Sequence, residues 1–250
     1  MLALWLTLAA LAGATLSGVT GVGGGTILIA VIYALGLLPA VAVPLHAAVQ
    51  LVSNGSRTVA YFQHVDWAAF RQFLWGAVPS PFLVAPLVAQ ANPNVILLAM
   101  AGFILFSLIP QALSFIHMNG RAGMVTAGVL AGGLGSIFAA SGTVIGPFFL
   151  RPEWSKQTTI ATLAVCQAAA HLMKIVAFAS FGFGVLQYWH WLLPMCAAVI
   201  LGTWLGRKLH EKVSEQLFDR AFKAILVLLA LKLAWDGASG LNWLNGGSGV

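Results

Sequence analysis

The chain has 250 residues, of which 60% are hydrophobic and only 7% are charged, with a formal net charge of +6 and a mean hydropathy of +0.93. A soluble domain carries about 25% charged residues, so this composition excludes a water-soluble globular protein. The positive net charge does not indicate nucleic-acid binding, because the basic residues cluster in loops, as they do on the cytoplasmic side of membrane proteins.

Long apolar stretches follow one another along the whole chain and are nearly free of formal charge. A helix needs about 20 such residues to cross the hydrocarbon core of a bilayer. We therefore predict an all-α integral membrane protein, surrounded by lipid. Residues 241–250 are predicted to be a flexible tail, because glycine and serine dominate their end.

An internal repeat relates the two halves, because a shift of 117 residues aligns them without a gap. The matches include the rarest polar residues of both halves, so chance explains them poorly. We predict two repeats, residues 1–117 and 118–240. The identical pairs are Gly18 with Gly135, Gly25 with Gly142, Thr26 with Thr143 and Gln50 with Gln167, and similar pairs include Asn54 with His171 and Arg57 with Lys174.

Each repeat begins with a Gly-interrupted stretch, 2–37 or 122–150. In the first stretch each half is too short to span comfortably at about 1.5 Å per residue. As hairpins that enter and leave on one side, these stretches give each repeat three net crossings, so the second repeat is inverted. That count places the basic loops on one side, as the positive-inside rule favours, whereas four crossings per repeat would divide them. Transmembrane helices are predicted at 40–62, 67–90, 95–116, 158–183, 188–206 and 221–239.

The inverted arrangement places both termini on the non-cytoplasmic side. Whether the Gly-interrupted hairpins fully span the bilayer stays open, since two very short complete spans give the same topology. Inverted repeats with broken helices are typical of secondary transporters, whose substrate site lies near the bilayer midplane between the repeats.

The two Gly-rich tips are candidate substrate-binding segments. Glycine lets the backbone approach a ligand closely, and free N–H groups at a helix start near Thr26 or Thr143 favour an anion. Close helix packing is the alternative for such runs of small residues, but the repetition of Gly-Thr at matched positions favours a substrate tip. The candidate tip residues are Gly23, Gly24, Gly25, Thr26, Ser141, Gly142 and Thr143.

A polar face recurs on the second helix of each repeat, at i, i+4 and i+7. Polar and ionisable residues inside a membrane are costly and usually functional. The alternative for the two cations is that their long side chains reach the headgroups. For His46, a hydrogen-bonded interhelical histidine is the simpler interpretation. The candidate binding residues on these faces are Gln50, Asn54, Arg57, Gln167, His171 and Lys174.

No Asp or Glu is predicted deep in a span, since Asp66, Glu153, Glu211, Glu215 and Asp219 are assigned to loops. The predicted site is therefore neutral or positive and suits a small anionic substrate. No cofactor, metal site or catalytic residue is predicted, and the chain is not expected to be an enzyme, because it lacks a metal cluster or a nucleophile–base pair.

Eight apolar stretches, the Gly-Val-Gly-Gly-Gly-Thr run that ends at Thr26, and a degenerate second copy that ends at Thr143 resemble the TauE/SafE sulfite exporter family. The resemblance covers nearly the whole chain and implies a bacterial inner-membrane transporter of sulfite or organosulfonates. It points to the tip residues and does not tell which polar side chains bind. An anion channel of the same architecture and a carrier for another small anion are the alternatives, and homo-oligomerisation stays open.

Overall fold

The protein is described by a computed structural model over residues 1–20, 24–109, 120–139, 141–209 and 215–241. These residues form α-helices joined by turns and short 3₁₀ helices, and no β-strand occurs among them. The all-α fold class is therefore confirmed. The helices are α1 (Leu2–Thr20), α2 (Gly24–Ala34), α3 (Pro39–Ala60), α4 (Trp67–Ala77), α5 (Pro79–Gln90), α6 (Pro93–Ser107), α7 (Gly120–Phe138), α8 (Gly142–Ile145), α9 (Lys156–Ser180), α10 (Trp189–Leu209) and α11 (Glu215–Gly240).

Several helical segments are suited to a bilayer by length and composition. Within the described residues, four segments are long and apolar enough to cross it, namely Trp67–Gln90, Gly120–Phe138, Lys156–Ser180 and Val185–Gly206. Shorter apolar helices cover Leu2–Ser17, Gly24–Ala34 and Pro93–Ser107. Together with the composition, these segments identify a multi-pass membrane protein.

The helix bounds differ from the predicted stretches where proline or glycine breaks the chain. The stretch 67–90 divides at Pro79 into α4 and α5, because proline cannot donate the next helical hydrogen bond. The last helix begins at Glu215, earlier than predicted, so Glu215 and Asp219 belong to α11 and not to a loop. The end of the predicted helix 95–116 and nearly all of the predicted tail lie outside the described residues.

The second hairpin is less regular than the first. After α7, the chain makes the single turn α8 and then the 3₁₀ turn Gly146–Phe149, instead of the apolar half-helix that was expected. Pro147 has no N–H to continue α8, and the next two aromatic side chains are buried instead. Phe149 packs edge to face against Phe73 of α4, with ring centroids 6.3 Å apart.

The hairpin helices pack mainly on the opposite half of the chain. Helix α1 packs along α10, whereas α7 packs along α4 and α5. Helices α3 and α9 pack against each other, as do α6 and α11. Under the 117-residue shift, α1 corresponds to α7, and α4 with α5 corresponds to α10. The contact of α1 with α10 is therefore the counterpart of the contact of α7 with α4 and α5. This pattern is consistent with the predicted inverted repeats.

Two hydrogen bonds link the segments at one end of the bundle. Arg151 donates from Nη2 to the carbonyl of Gly120 at 3.4 Å, which joins the start of α7 to the loop before α9. The backbone N–H of Asp66 donates to Thr162 Oγ1 at 2.9 Å, and the Asp66 carboxylate caps the first turn of α4. The loop before α4 and the starts of α7 and α9 therefore lie at the same end.

Candidate functional site

A central cavity of about 50 Å³ lies where the start of α2, the turn α8 and the middles of α3 and α9 meet. Both Gly-rich tips and both polar helix faces contribute to its wall, so residues far apart in the sequence come together there. Its lining residues in the described part of the chain are Ser17, Gly25, Thr26, His46, Gln50, Arg57, Ala139, Ser141, Gly142, Thr143, Leu163, Gln167 and His171.

The tip glycines touch the two glutamines in matching ways. A Cβ atom added at Gly25 would lie 2.9 Å from Gln50 Nε2, and one added at Gly142 would lie 3.1 Å from Gln167 Nε2. Neither position has room for a methyl group unless the amide moves. Glycine thus permits the close approach of backbone to side chain at both tips, and the paired contacts follow the 117-residue correspondence.

The imidazole of His46 joins the first tip to α3. His46 Nε2 lies 2.9 Å from the carbonyl oxygen of Gly25. A carbonyl oxygen only accepts, so Nε2 carries the proton in this contact. The ring of His46 also meets that of His171 edge to face, with centroids 5.8 Å apart. The two histidines therefore bridge α3 and α9 at the cavity wall.

Several buried polar atoms around the cavity have no hydrogen-bond partner among the described residues. They are Thr143 Oγ1, His46 Nδ1, His171 Nδ1, Asn54 Oδ1 and Lys174 Nζ. Buried polar atoms in proteins are nearly always paired, because an unpaired one costs about 1–3 kcal/mol. Thr143 and the two histidines line the cavity, so a polar guest there gains hydrogen bonds that the described residues do not supply.

Lys174 and Asn54 lie behind the cavity wall. Both side chains are buried, with relative exposures of 0% and 1%, and neither lines the cavity in the described part of the chain. A Cβ atom at Gly135 would be 3.0 Å from Lys174 Nζ and 3.4 Å from Ser141 Oγ. The ammonium group therefore lies beside α7, close to Ser141 of the second tip.

One predicted tip residue that the structure describes, Gly24, does not line the central cavity. Gly24 instead lines a small neighbouring cavity of about 10 Å³, together with Gly25, Gln50 and Ser17. A side chain at Gly24 would collide with the backbone of Gly13, so this glycine serves the close packing of α1 and α2. Gly23 lies outside the described residues.

A larger cavity of about 380 Å³, here called the vestibule, shares Ser17, Arg57 and Leu163 with the central cavity. Its other walls are mostly apolar and include Tyr61 and Trp204. The Arg57 side chain is half-buried, and its Nη2 donates to Ser53 Oγ at 3.4 Å. Arg57 therefore stands at the junction of the two cavities.

The vestibule lies toward one end of the bundle. Tyr61 directly follows α3, and Ile160 lies in the first turns of α9. These positions belong to the end where Asp66 contacts α9 and where Arg151 contacts the start of α7. The central cavity therefore communicates with the end of the bundle that carries the basic loop residues.

The central cavity offers donors and positive charge. No Asp or Glu is among its lining residues in the described part of the chain, whereas Arg57, Gln50, Gln167, Ser141 and Thr143 can donate hydrogen bonds. No group of three or more side chains that could hold a metal ion occurs among the described residues. The wall suits a small hydrogen-bond acceptor with negative charge.

Four lining residues were not among the predicted site residues. His46 had been interpreted as a structural histidine, and its contact with the tip could not be read from the sequence alone. Ser17 directly precedes the glycine run, which was an available signal. Ala139 has a positive φ of 56°, a conformation that only the folded chain reveals and that strains a residue other than glycine. Leu163 shows no polar signal.

The second tip differs from the expected anion site at a helix start. Because α8 is a single turn followed by a 3₁₀ turn, no long helix stands behind Thr143 to provide a dipole. At the first tip, α2 runs for 11 residues from Gly24. The two tips therefore contribute to the cavity in different ways, the second mainly through side-chain hydroxyls.

Comparison with known protein families gives a match over most of the chain. The model of the family described as Sulfite exporter TauE/SafE matches residues 6–233. No match to the chain is found among curated proteins or among solved structures.

Proposed function

Because this chain belongs to the TauE/SafE sulfite exporter family, which comprises membrane transporters and not enzymes, we propose that it is a secondary transporter that exports small sulfur-containing anions. Sulfite and small organosulfonates are the proposed substrates, and the central cavity is their proposed site. The observation that carries the proposal is the pairing of both tip glycines with Gln50 and Gln167 around one cavity whose described lining residues include no carboxylate.

The size and chemistry of the cavity support a compact oxyanion. A single water needs about 10–15 Å³ of the same kind of volume, so the 50 Å³ cavity has room for a few atoms. The oxygens of a sulfur oxyanion accept hydrogen bonds from amides, hydroxyls and a guanidinium, and charge-assisted bonds of this kind are the strongest. Thr143 Oγ1, which is buried without a partner, is one such donor.

Alternating access is the proposed mechanism, with residues 1–117 and 118–240 as inverted repeats. The exchange of packing partners between α1–α10 and α7–α4 supports this division. Arg57 borders the vestibule, whereas the corresponding Lys174 is fully buried. In the state that is open to the other side of the membrane, the two repeats exchange conformations. Lys174 then faces an open vestibule, and Arg57 is enclosed.

The proposed orientation places the vestibule on the cytoplasmic side. Arg71, Arg121, Arg151 and Lys156 all belong to segments at that end of the bundle, and the positive-inside rule assigns such an end to the cytoplasm. Both termini then lie outside the cytoplasm, and the membrane is the bacterial plasma membrane. The described state is accordingly open toward the cytoplasm, where an exporter takes up its substrate.

Sulfite flux from liposomes tests the proposed function. Purified protein should release loaded sulfite with saturable kinetics, and Gln50→Ala or Gln167→Ala should lower that flux about tenfold or more, since each removes a polar contact to the anion. The matched control is Gln63→Ala, because Gln63 is exposed outside the cavity. Flux equal to that of sulfite-loaded liposomes without protein would contradict the proposal. An equal loss of flux in Gln63→Ala would also contradict it. Unsaturable currents would identify a channel instead.

A further inference from the structure

A second pocket, with a mostly apolar wall and two cations, lies at the basic end of the bundle, outside the central cavity. It has a volume of about 450 Å³ and is formed by the loop before α9 and the first turns of that helix. Its wall includes Arg151, Trp154 and Lys156 beside the apolar side chains of Leu150 and Ile160. Among the described residues it shares no lining residue with the central cavity, so the transport site does not account for it.

Arg151 is held in place, but only one of its N–H groups makes a hydrogen bond among the described residues. Its guanidinium carbon lies 4.6 Å from the centre of the Trp154 ring, which is a cation–π contact. Nη2 makes one long hydrogen bond, at 3.4 Å, to the carbonyl of Gly120. Nε is buried and has no partner among the described residues. Stacking therefore fixes the plane of the guanidinium while several of its N–H groups stay available to an acceptor.

The charge around this pocket is positive. Lys156 is exposed at the first position of α9. Within the described part of the chain, neither Arg151 nor Lys156 forms an ion pair with a carboxylate. Glu153 belongs to the same loop but is exposed and does not line the pocket. Two cations thus face one opening, and no carboxylate is among its lining residues in the described part of the chain.

Apolar surface adjoins these cations. Leu150 has a relative exposure of 67%, and Ile160 lies one turn along α9 from Lys156. Lys156 starts a 25-residue helix that is long and apolar enough to cross a bilayer, so the pocket lies at a membrane surface. Tryptophan is enriched at that depth, where one side of its ring is apolar and the other is wet.

We propose that this pocket binds the phosphate of an anionic phospholipid of the adjoining leaflet. Arg151 and Lys156 bind the phosphate oxygens, Trp154 packs at the glycerol level, and Leu150 and Ile160 contact the first part of the acyl chain. A free phosphate ion shares the oxyanion chemistry but uses none of the apolar wall. Basic pockets at the cytoplasmic ends of transmembrane helices are known to select anionic headgroups. This inference does not depend on the transport function.

Native mass spectrometry of the detergent-purified full chain tests the inference. The probes are dioleoylphosphatidylglycerol, dioleoylphosphatidylcholine and inorganic phosphate. We expect the protein to retain phosphatidylglycerol in preference to phosphatidylcholine, and Arg151→Gln with Lys156→Gln to reduce that preference about 30-fold. Arg71→Gln with Arg121→Gln is the matched control, because it removes two exposed cations of the same end outside the pocket and should leave the preference intact.

A further variant separates binding from folding. Trp154→Leu keeps both charges but removes the ring that orients Arg151, and we expect it to weaken the retention of phosphatidylglycerol while the protein stays monodisperse. Equal retention of the two lipids by the unaltered protein would overturn the proposal, as would an equal loss in the control pair. Displacement of phosphatidylglycerol by millimolar inorganic phosphate would identify a site for the free anion and would also overturn the lipid assignment.

Discussion

The imidazole rings of His46 and His171 meet edge to face at the centre of the protein, with centroids 5.8 Å apart. Each histidine belongs to the long polar helix of one half, so this contact joins α3 to α9 beside the cavity. His46 also holds the carbonyl of Gly25, which fixes the first tip relative to that contact. Through these two contacts, His46 connects the first tip to α9 of the other half.

The hydrogen bond from His46 to the first tip should be needed for stability. In His46→Ala, the carbonyl of Gly25 keeps its acceptor role within α2 but loses the side-chain donor, and a hydrogen bond of this kind contributes about 0.5–1.5 kcal/mol. We expect a lower thermal unfolding temperature in detergent and a slower sulfite flux. His46→Gln offers an amide donor and should recover part of both. His64→Ala is the control, because His64 is exposed outside the cavity, and an equal loss there would contradict this role for His46.

Alanine at either tip glycine should slow transport. The added methyl group of Gly25→Ala or Gly142→Ala falls 2.9 or 3.1 Å from a glutamine amide nitrogen, so that side chain must move away from the cavity wall. We expect sulfite flux to fall about tenfold, similar to the effect of one methylene in a tight pocket. Gly55→Ala on α3 meets nothing within 4 Å and should keep full flux. Normal flux in both tip variants would remove the glutamine contacts from the proposed site.

Arg57 and Lys174 should be accessible from opposite sides of the membrane. We expect a cysteine at position 57 to react with an impermeant maleimide from the basic end, through the vestibule, because Arg57 lines that cavity. A cysteine at position 174 should react only from the other side and only when the protein turns over. The measurement requires Cys166→Ala and Cys196→Ala as a background, since these are the two cysteines of the chain. Labelling of both positions from one side would contradict the exchange of environments between repeats.

Asp66 should stabilise α4 as its N-terminal cap. Its carboxylate accepts hydrogen bonds from the N–H groups of Ala68 and Ala69 at 3.0 and 2.9 Å. Replacing such a cap by alanine typically costs about 0.5–2 kcal/mol. Thermal unfolding should show this loss for Asp66→Ala, whereas Asp66→Asn keeps an acceptor oxygen and should lose little. A similar loss in both variants would show that the charge and not the cap matters.

The ion pair between Lys232 and Asp236 on α11 should contribute little. It joins positions i and i+4, and its side chains are 49% and 35% exposed. Pairs of this kind contribute about 0.3–0.5 kcal/mol on a helix in water. We expect Lys232→Ala to change the unfolding temperature much less than Asp66→Ala does. A larger effect of Lys232→Ala would mean that this part of α11 contacts another chain or a lipid.

Much of the architecture could be predicted because composition and periodicity are local properties. The spans of α3, α9 and α10 follow from the spacing of charged residues and agree with the predicted stretches to within a few residues. The 117-residue repeat placed Gln50 with Gln167 and Gly25 with Gly142, and the structure brings all four to one cavity.

Departures from the prediction arise where a local pattern is compatible with more than one packing. The pattern of 142–150 is apolar enough for a helix, yet Phe148 and Phe149 turn into the core and Pro147 stops α8. Lys174 shares a helix face with Gln167, but its ammonium group lies beside Gly135 of α7 and does not line the central cavity in the described part of the chain. Neither outcome depends on the residue alone, because both depend on which helix occupies the adjoining space.

By itself, the sequence determined that this protein lies in a membrane, that its two halves correspond, and that its polar residues concentrate at matched positions. Hydrophobicity and residue spacing suffice for these conclusions, because the bilayer acts on every segment separately. Only the tertiary structure decided which polar groups face the central cavity, which cation borders the vestibule, and that Arg151 stacks on Trp154. These relationships depend on distances between helices, and such distances are set by packing among residues far apart in the chain.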